Sequence, residues 1–156
     1  MLEIVVPGSD TLRLDHLVAD FNGTLATDGV LLPGVADALR NLASRLTIHV
    51  VTADTFGHAH DALEGLPVKL IILSSGPHDI AKRRYAEQLD ARRCAAIGNG
   101  RNDRLLLAAV ALGIAVIQAE GTATQTLAAA DIAVPDILAA LGLLLHPLRL
   151  VATLRI

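Results

Sequence analysis

The chain has 156 residues, 53% of them hydrophobic but only 2% aromatic, with a formal charge of −3. That length predicts one domain, residues 1–156, with a single core of Leu, Ala, Val and Ile, and the weak acidity gives no electrostatic basis for binding nucleic acid. Cys94, the one cysteine, excludes an intramolecular disulfide and suits a reducing cytoplasm.

In chain order, "LEIVV" and "TLRLD" flank the turn Pro7-Gly8-Ser9-Asp10 and read as an N-terminal β-hairpin over residues 1–14. "HLVADF" is a buried strand that ends in Asp20, and Asp28-Gly29 in "ATDGV" predicts a small flap. Pro33 at a first-turn position, with Val35, Leu39 and Leu42 on one face, predicts a helix. "TIHVVT" is a strand, "FGHAHDALEG" from Phe56 a short helix stopped by Gly65, "VKLIIL" a strand and "HDIAKRRYAEQLD" a helix. "CAAIG" is a strand, "RNDRLLLAAVAL" a helix ended by Gly113, and "IAVIQ" a strand. "TATQTLAAA" is a helix, "IAVP" a short strand, and residues 135–156 form two helices split at Pro147.

The mean hydropathy of +0.51 raises the question of a membrane. The longest candidate holds nine uninterrupted apolar or Gly residues, Ile137 to Leu145, before His146, Pro147 and Arg149. A spanning helix needs about 20. The opening "MLEIVVPGSD" has neither a basic region nor a long apolar run, so no signal peptide is expected and the location expected is cytoplasmic.

Strands alternating with helical segments predict an α/β, doubly wound (Rossmann-like) fold with a parallel sheet covered on both faces. Counting "HLVADF" as strand 1, the expected order is 5-4-1-2-3. Ligands in such folds bind at the carboxyl ends of the strands, where strand order reverses. The residues at those ends are Asp20, Thr52, Ser74, Ser75, Gly98-Asn99-Gly100 and Gln118.

An Asp at the first strand tip, a Thr at the second, a Lys on a helix and an Asn/Asp pair after the fourth suit phosphoryl transfer. Asp20 is the candidate nucleophile, able to hold a phosphoryl group as an acyl phosphate. Thr52 offers a hydroxyl to a phosphoryl oxygen, and Lys82 offsets charge on the transferring group. Backbone groups of Asn22, Gly23, Thr24, Ala53 and Gly100 are expected around the phosphate. Asp20, Asn22, Asn99 and Asp103 are the expected oxygen ligands of a Mg²⁺ ion, which takes one or two carboxylates with water and substrate phosphate.

Together "VADFNGTL", "VVTAD", Lys82 and "IGNGRNDRLLL" resemble the haloacid dehalogenase (HAD) superfamily of phosphohydrolases, from about Asp15 to Leu141. "GNGRND" is most similar to the phosphorylation domain of P-type ATPases. The resemblance implies the same roles for Asp20, Thr52, Lys82, Asn99 and Asp103. It also exposes two departures. Most phosphatases of the superfamily carry an acid two residues after the nucleophile, where this chain has Asn22, and a metal-binding Asp where it has Asn99. An amide at position 22 can neither protonate a leaving group nor activate water, so slow turnover of the phosphoenzyme is expected.

Blander readings stand beside these. Asp20 and Asn22 also suit an Asx turn, Lys82 a solvated helix face, and Asn99 to Asp103 a loop with a helix cap. His58 and His60 sit two apart and share no helix face, which favours surface histidines over a zinc site. Neither place where relatives insert a cap domain has room for one, so no cap is expected. An open site then implies a bulky phosphorylated substrate or closure by a second subunit in a dimer or tetramer, with the apolar C-terminal segments in the contact. The function expected is Mg²⁺-dependent phosphohydrolysis or phosphotransfer. The alternative is a catalytically silent relative that binds a phosphorylated ligand or partner.

Overall fold

The computed structural model describes residues 1–54 and 57–156. The N-terminal hairpin is β1 (Leu2–Ile4) against β2 (Leu12–Leu14), with Leu2 opposite Leu14. Among the described residues it stands as its own two-stranded sheet and joins no edge strand of the main sheet. Its inward residues Leu2, Ile4, Val6 and Leu14 belong to the main core, which is why it folds under the sheet.

Next come β3 (His16–Ala19), the flap strands β4 (Ala26–Thr27) and β5 (Val30–Leu31), and α1 (Val35–Leu42). Asp28 and Gly29 both take positive φ, 51° and 77°, as a two-residue hairpin turn requires. Then follow β6 (Thr47–Thr52), α2 (Ala59–Leu63), β7 (Val68–Ile72) and α3 (His78–Gln88). Phe56, the expected start of the α2 segment, lies outside the described residues. The chain ends with β8 (Cys94–Gly98), α4 (Arg104–Ala109), β9 (Leu112–Val116), α5 (Thr124–Ala129), β10 (Ile132–Val134), α6 (Ile137–Leu145) and α7 (Pro147–Leu154).

The main sheet is parallel with the order β10-β9-β8-β3-β6-β7. The expected order is thus reproduced, and "IAVP" extends it as a sixth strand at the edge. One expectation shifts: Gly113 lies inside β9 rather than closing the preceding helix, which stops at Ala109. A methyl group at Gly113 would lie 2.5 Å from the Leu107 carbonyl oxygen, so the strand passes the end of α4 only because this residue has no side chain.

Alternation along the strands loads both faces. Leu17, Ala19, Val50 and Ile97 face the core shared with α1, α6 and the hairpin, whereas Val18, Val51 and Ala96 face the core under α3 and α4. Full burial of one Leu, Val or Ile side chain among these contributes about 1.5–3 kcal/mol. The C-terminal helices are less free than their composition suggests. Ile137, Ala140, Leu141 and Leu144 of α6 and Leu150 of α7 are buried in the first core, leaving Leu138, Leu148 and Ile156 exposed. Among the described residues no single helix is long and apolar enough to cross a membrane, and α6 meets α7 at a bend of 100°.

One polar chain threads this core. His49 on β6 is buried, its Nε2 3.1 Å from His16 Nδ1 and its Nδ1 2.8 Å from the Tyr85 hydroxyl on α3. Burial, helped by His16 and Lys69, pushes His49 down to about 4, and burial also lowers His16 despite Asp15 beside it. The unfolded chain takes up the His49 proton near its ordinary 6.5 and the folded chain only near 4. Stability therefore falls as pH drops through that window. Urea denaturation at pH 7.5 and pH 5 checks this: His49→Gln should lose less stability between the two than wild type.

Candidate active site

Asp20 follows β3 directly, and its N–H donates to the Ile97 carbonyl on β8 at 3.0 Å, so the sheet itself carries the carboxylate to the strand tip. The chain then turns sharply. Phe21, fully buried, accepts at its carbonyl from the N–H groups of Thr24, Leu25 and Ala26. Gly23 within this turn has φ of 80°. A methyl group there would lie 2.5 Å from the Asn99 side-chain nitrogen and 2.6 Å from Glu120 Oε2, so the turn accepts only glycine.

Lys82 reaches the site from α3. Its side chain is 1% exposed, and Nζ donates to Asp20 Oδ1 at 2.7 Å and to Asp103 Oδ1 at 2.6 Å. The two carboxylates thus share one ammonium. Burial by itself lowers Lys82, but the two acids outweigh it and hold the lysine well above its usual range. Asp20 is pushed upward, first by burial and then by Asp103, with Lys82 opposing. Beyond burial, one positive charge here faces two negative ones, so Lys82 does not cancel the upward push on Asp20.

Asp103 has no free oxygen on this side. Its Oδ2 accepts the N–H groups of Asn99 and Gly100, both at 3.0 Å, and its side chain is wholly buried. It anchors the loop after β8 and faces the lysine, where the sequence suggests a direct metal ligand. Asn99 is also engaged, accepting from the Thr24 hydroxyl at 3.1 Å and donating to the Gly121 carbonyl at 2.9 Å. The expected phosphate cradle needs revision as well. The Gly23 and Thr24 N–H groups close the turn onto Ala26 and Phe21, and the Gly100 N–H serves Asp103. They are spent on backbone geometry.

Above this base lies a cavity of about 220 Å³ walled by Asp20, Asn22, Thr52, Ala53, Asn99 and Gly100, all expected, with Asp54, Asn102 and Glu120. Thr52 is buried at the end of β6, its Oγ accepting the Asp54 N–H at 3.1 Å, which leaves the hydroxyl proton to be donated. Asp54 holds φ of 47°, a left-handed backbone uncommon for Asp, and its Oδ1 accepts the N–H groups of His58 and Ala59 at the start of α2. A larger cavity of about 690 Å³ opens among His16, Thr47 and Lys69 at the amino ends of the strands. Doubly wound sheets bind ligands at the opposite ends, where the smaller cavity is.

The cavity walls fit a hard divalent cation. They offer carboxylate, carboxamide and hydroxyl oxygens without a thiol or imidazole, the donor set of Mg²⁺ rather than zinc. The Asn22 Oδ1 is buried and accepts no hydrogen bond among the described residues. No three His, Cys, Asp or Glu side chains among the described residues converge to hold an ion alone. Substrate oxygens, water or backbone would have to complete the shell. Ser74 and Ser75 line a separate small cavity with Pro77 and Arg84, and His58 and His60 are exposed.

Three solved structures share this architecture. A 3-deoxy-D-manno-octulosonate 8-phosphate phosphatase of Moraxella catarrhalis, in complex with magnesium, phosphate and KDO, superposes with a TM-score of 0.67 at 18% identity, over 86% of this chain and 87% of that one. The cobalt-bound deoxy-D-mannose-octulosonate 8-phosphate phosphatase of Haemophilus influenzae gives 0.64 at 16% identity, over 80% and 79%. A haloacid dehalogenase-like hydrolase of Streptococcus pneumoniae gives 0.62 at 15%, over 83% and 97%. The chain has the fold of the haloacid dehalogenase superfamily, without a cap domain among the described residues. No family model matches the sequence. The uncharacterized protein MJ0073 of Methanocaldococcus jannaschii is 46% identical over 84 residues, which are 51% of this chain and 90% of that protein. This chain belongs to the same family as MJ0073.

Removing the shared ammonium leaves two buried carboxylates unpaired. Lys82→Met should cost about 3–5 kcal/mol of stability by chemical denaturation. Lys82→Met combined with Asp20→Asn and Asp103→Asn should recover much of that loss.

Proposed function

We propose that the protein is a divalent-cation-dependent phosphohydrolase or phosphotransferase that forms an aspartyl phosphate on Asp20. The observation that carries this reading is the buried Lys82 ammonium held on one oxygen of Asp20 at the base of an oxygen-lined cavity. Asp20 Oδ2 attacks phosphorus, a new P–O bond forms, and the bond to the leaving group breaks with its electron pair going to the leaving oxygen. Thr52 donates its hydroxyl to a phosphoryl oxygen, and Lys82 offsets the charge gathering there. A bound Mg²⁺-class cation would neutralise phosphoryl charge, with Asp20, Asn22 and Asn99 on the walls that face it. Hydrolysis of the acyl phosphate requires a base to take a proton from water, and Asn22 supplies none. The likeness of "GNGRND" to P-type ATPase phosphorylation domains agrees with a long-lived intermediate. The phosphatases that share the fold suggest a phosphorylated small molecule as substrate.

Acetyl phosphate, whose leaving group needs little protonation, should give a burst of about one equivalent per site followed by slow turnover, with the burst lost in Asp20→Asn. Asn22→Asp should accelerate the steady state by up to about 10²–10⁴-fold, the usual contribution of a positioned acid/base.

A second reading is a silent relative that binds a phosphorylated ligand or partner. The amides at positions 22 and 99 favour it. No burst and no turnover in wild type, with Asn22→Asp/Asn99→Asp equally inert, would establish it. In either case the uncapped cavity favours a homodimer or tetramer in which a second subunit covers the site, with Val30 on the flap and Leu138 and Leu148 on the C-terminal helices in the contact. Light scattering at micromolar concentration should give a mass above one chain, and Leu148→Lys should lower it.

A further inference from the structure

We propose that Glu120 supplies the carboxylate that position 99 lacks, as a ligand to the cation of this site. The inference rests on the phosphoryl-transfer reading above. It begins at the face of Gly23, where the side chains of Asn99 and Glu120 converge. A methyl group on that α-carbon would meet the Asn99 amide at 2.5 and 2.8 Å and Glu120 Oε2 at 2.6 Å. The carboxylate therefore lies against the nucleophile turn, three residues from Asp20, and lines the same 220 Å³ cavity as Asp20 and Asn22.

Two features argue that this placement is built. The loop after β9 that carries Glu120 is braced from several sides. Gln118 Nε2 donates to the Gly23 and Thr24 carbonyls at 2.9 and 2.7 Å, while its Oε1 accepts the Ile137 N–H at 2.9 Å. Gly121 N–H returns to the Gln118 carbonyl, and the Gly121 carbonyl accepts Asn99 Nδ2. Asn99 thus spends its amide holding the loop that brings Glu120 in. The second feature is that Glu120 makes no hydrogen bond or ion pair among the described residues. An anion on the wall of the cavity that Asp20 lines, with no protein cation of its own among the described residues, favours an added positive charge in that cavity.

The two positions have exchanged roles. Where the resemblance expects a carboxylate at 99 on the metal, this chain has an amide that positions the next loop, and the charge arrives from that loop. Glu120 is exposed, so its replacement does not disturb the core.

Mn²⁺, titrated by electron paramagnetic resonance, tests the assignment without reference to activity. Glu120→Gln should weaken Mn²⁺ binding about tenfold or more, as loss of a charged ligand does, with the thermal midpoint unchanged. Glu120→Gln/Asn99→Asp should recover most of the loss, and Asp20→Asn should weaken binding in either background. Unchanged affinity in Glu120→Gln alongside a loss in Asp20→Asn would overturn the role of Glu120 and leave the proposed function standing. A loss in Glu120→Gln that Asn99→Asp fails to recover would overturn the exchange of roles. A wild type that binds no Mn²⁺ would overturn both proposals.

Discussion

The rest of the site is arranged around one ammonium group shared by two carboxylates. The Lys82 ammonium is held charged in a buried position by its two acidic partners, and it opposes the upward push that burial and Asp103 exert on Asp20. Each is delivered by a different element: Asp20 by β3, Lys82 by α3, and Asp103 by the loop after β8. The three meet because β3 and β8 are hydrogen-bonded neighbours in the sheet and α3 packs over their shared face. The charge imbalance then does chemical work. Asp103 is saturated by two backbone N–H groups and the lysine, so the oxygen left open to the cavity is on Asp20.

On the phosphoryl-transfer reading we propose, that arrangement separates the parts that would hold a nucleophile from the parts that would turn it over. The holding parts are present: a strand-tip carboxylate, a buried lysine and a threonine hydroxyl at the neighbouring strand tip. The turnover parts are altered. Position 22 is an amide whose oxygen has no donor among the described residues, and position 99 is an amide committed to Thr24 and Gly121. On the same reading, a site of this kind would form a covalent intermediate more readily than hydrolyse it.

Much of this was legible in the sequence because it depends on strand ends. Asp20, Thr52 and Asn99 sit where apolar runs stop, and the expected strand order places those stops side by side. Lys82 was legible only through the joint spacing of the motifs, since "AKRRYAEQL" reads equally as a solvated helix. Glu120 and Asp54 were not singled out. Glu120 follows Gln118 in an irregular loop, and it reaches Gly23 only through the bracing by Gln118 and Asn99. Asp54 ends "VVTAD", but its left-handed backbone has no signal in composition. The N–H groups of Gly23 and Thr24 close their own turn and that of Gly100 serves Asp103, local pairings that strand ends do not announce. The apolar C-terminal composition does not distinguish surface from core: a helix hydrophobic on nearly all sides can be a core helix, as α6 is.

The most direct test of the central claim is to locate the covalent phosphate. Protein incubated with acetyl phosphate and Mg²⁺, quenched in acid and reduced with borohydride, converts a phosphorylated aspartate to homoserine. Peptide mass spectrometry should find that conversion at Asp20 alone, and it should vanish when Lys82 is replaced by Met in protein shown to be folded. An unmodified Asp20 in wild type, or modification at another carboxylate such as Asp54, would contradict the account.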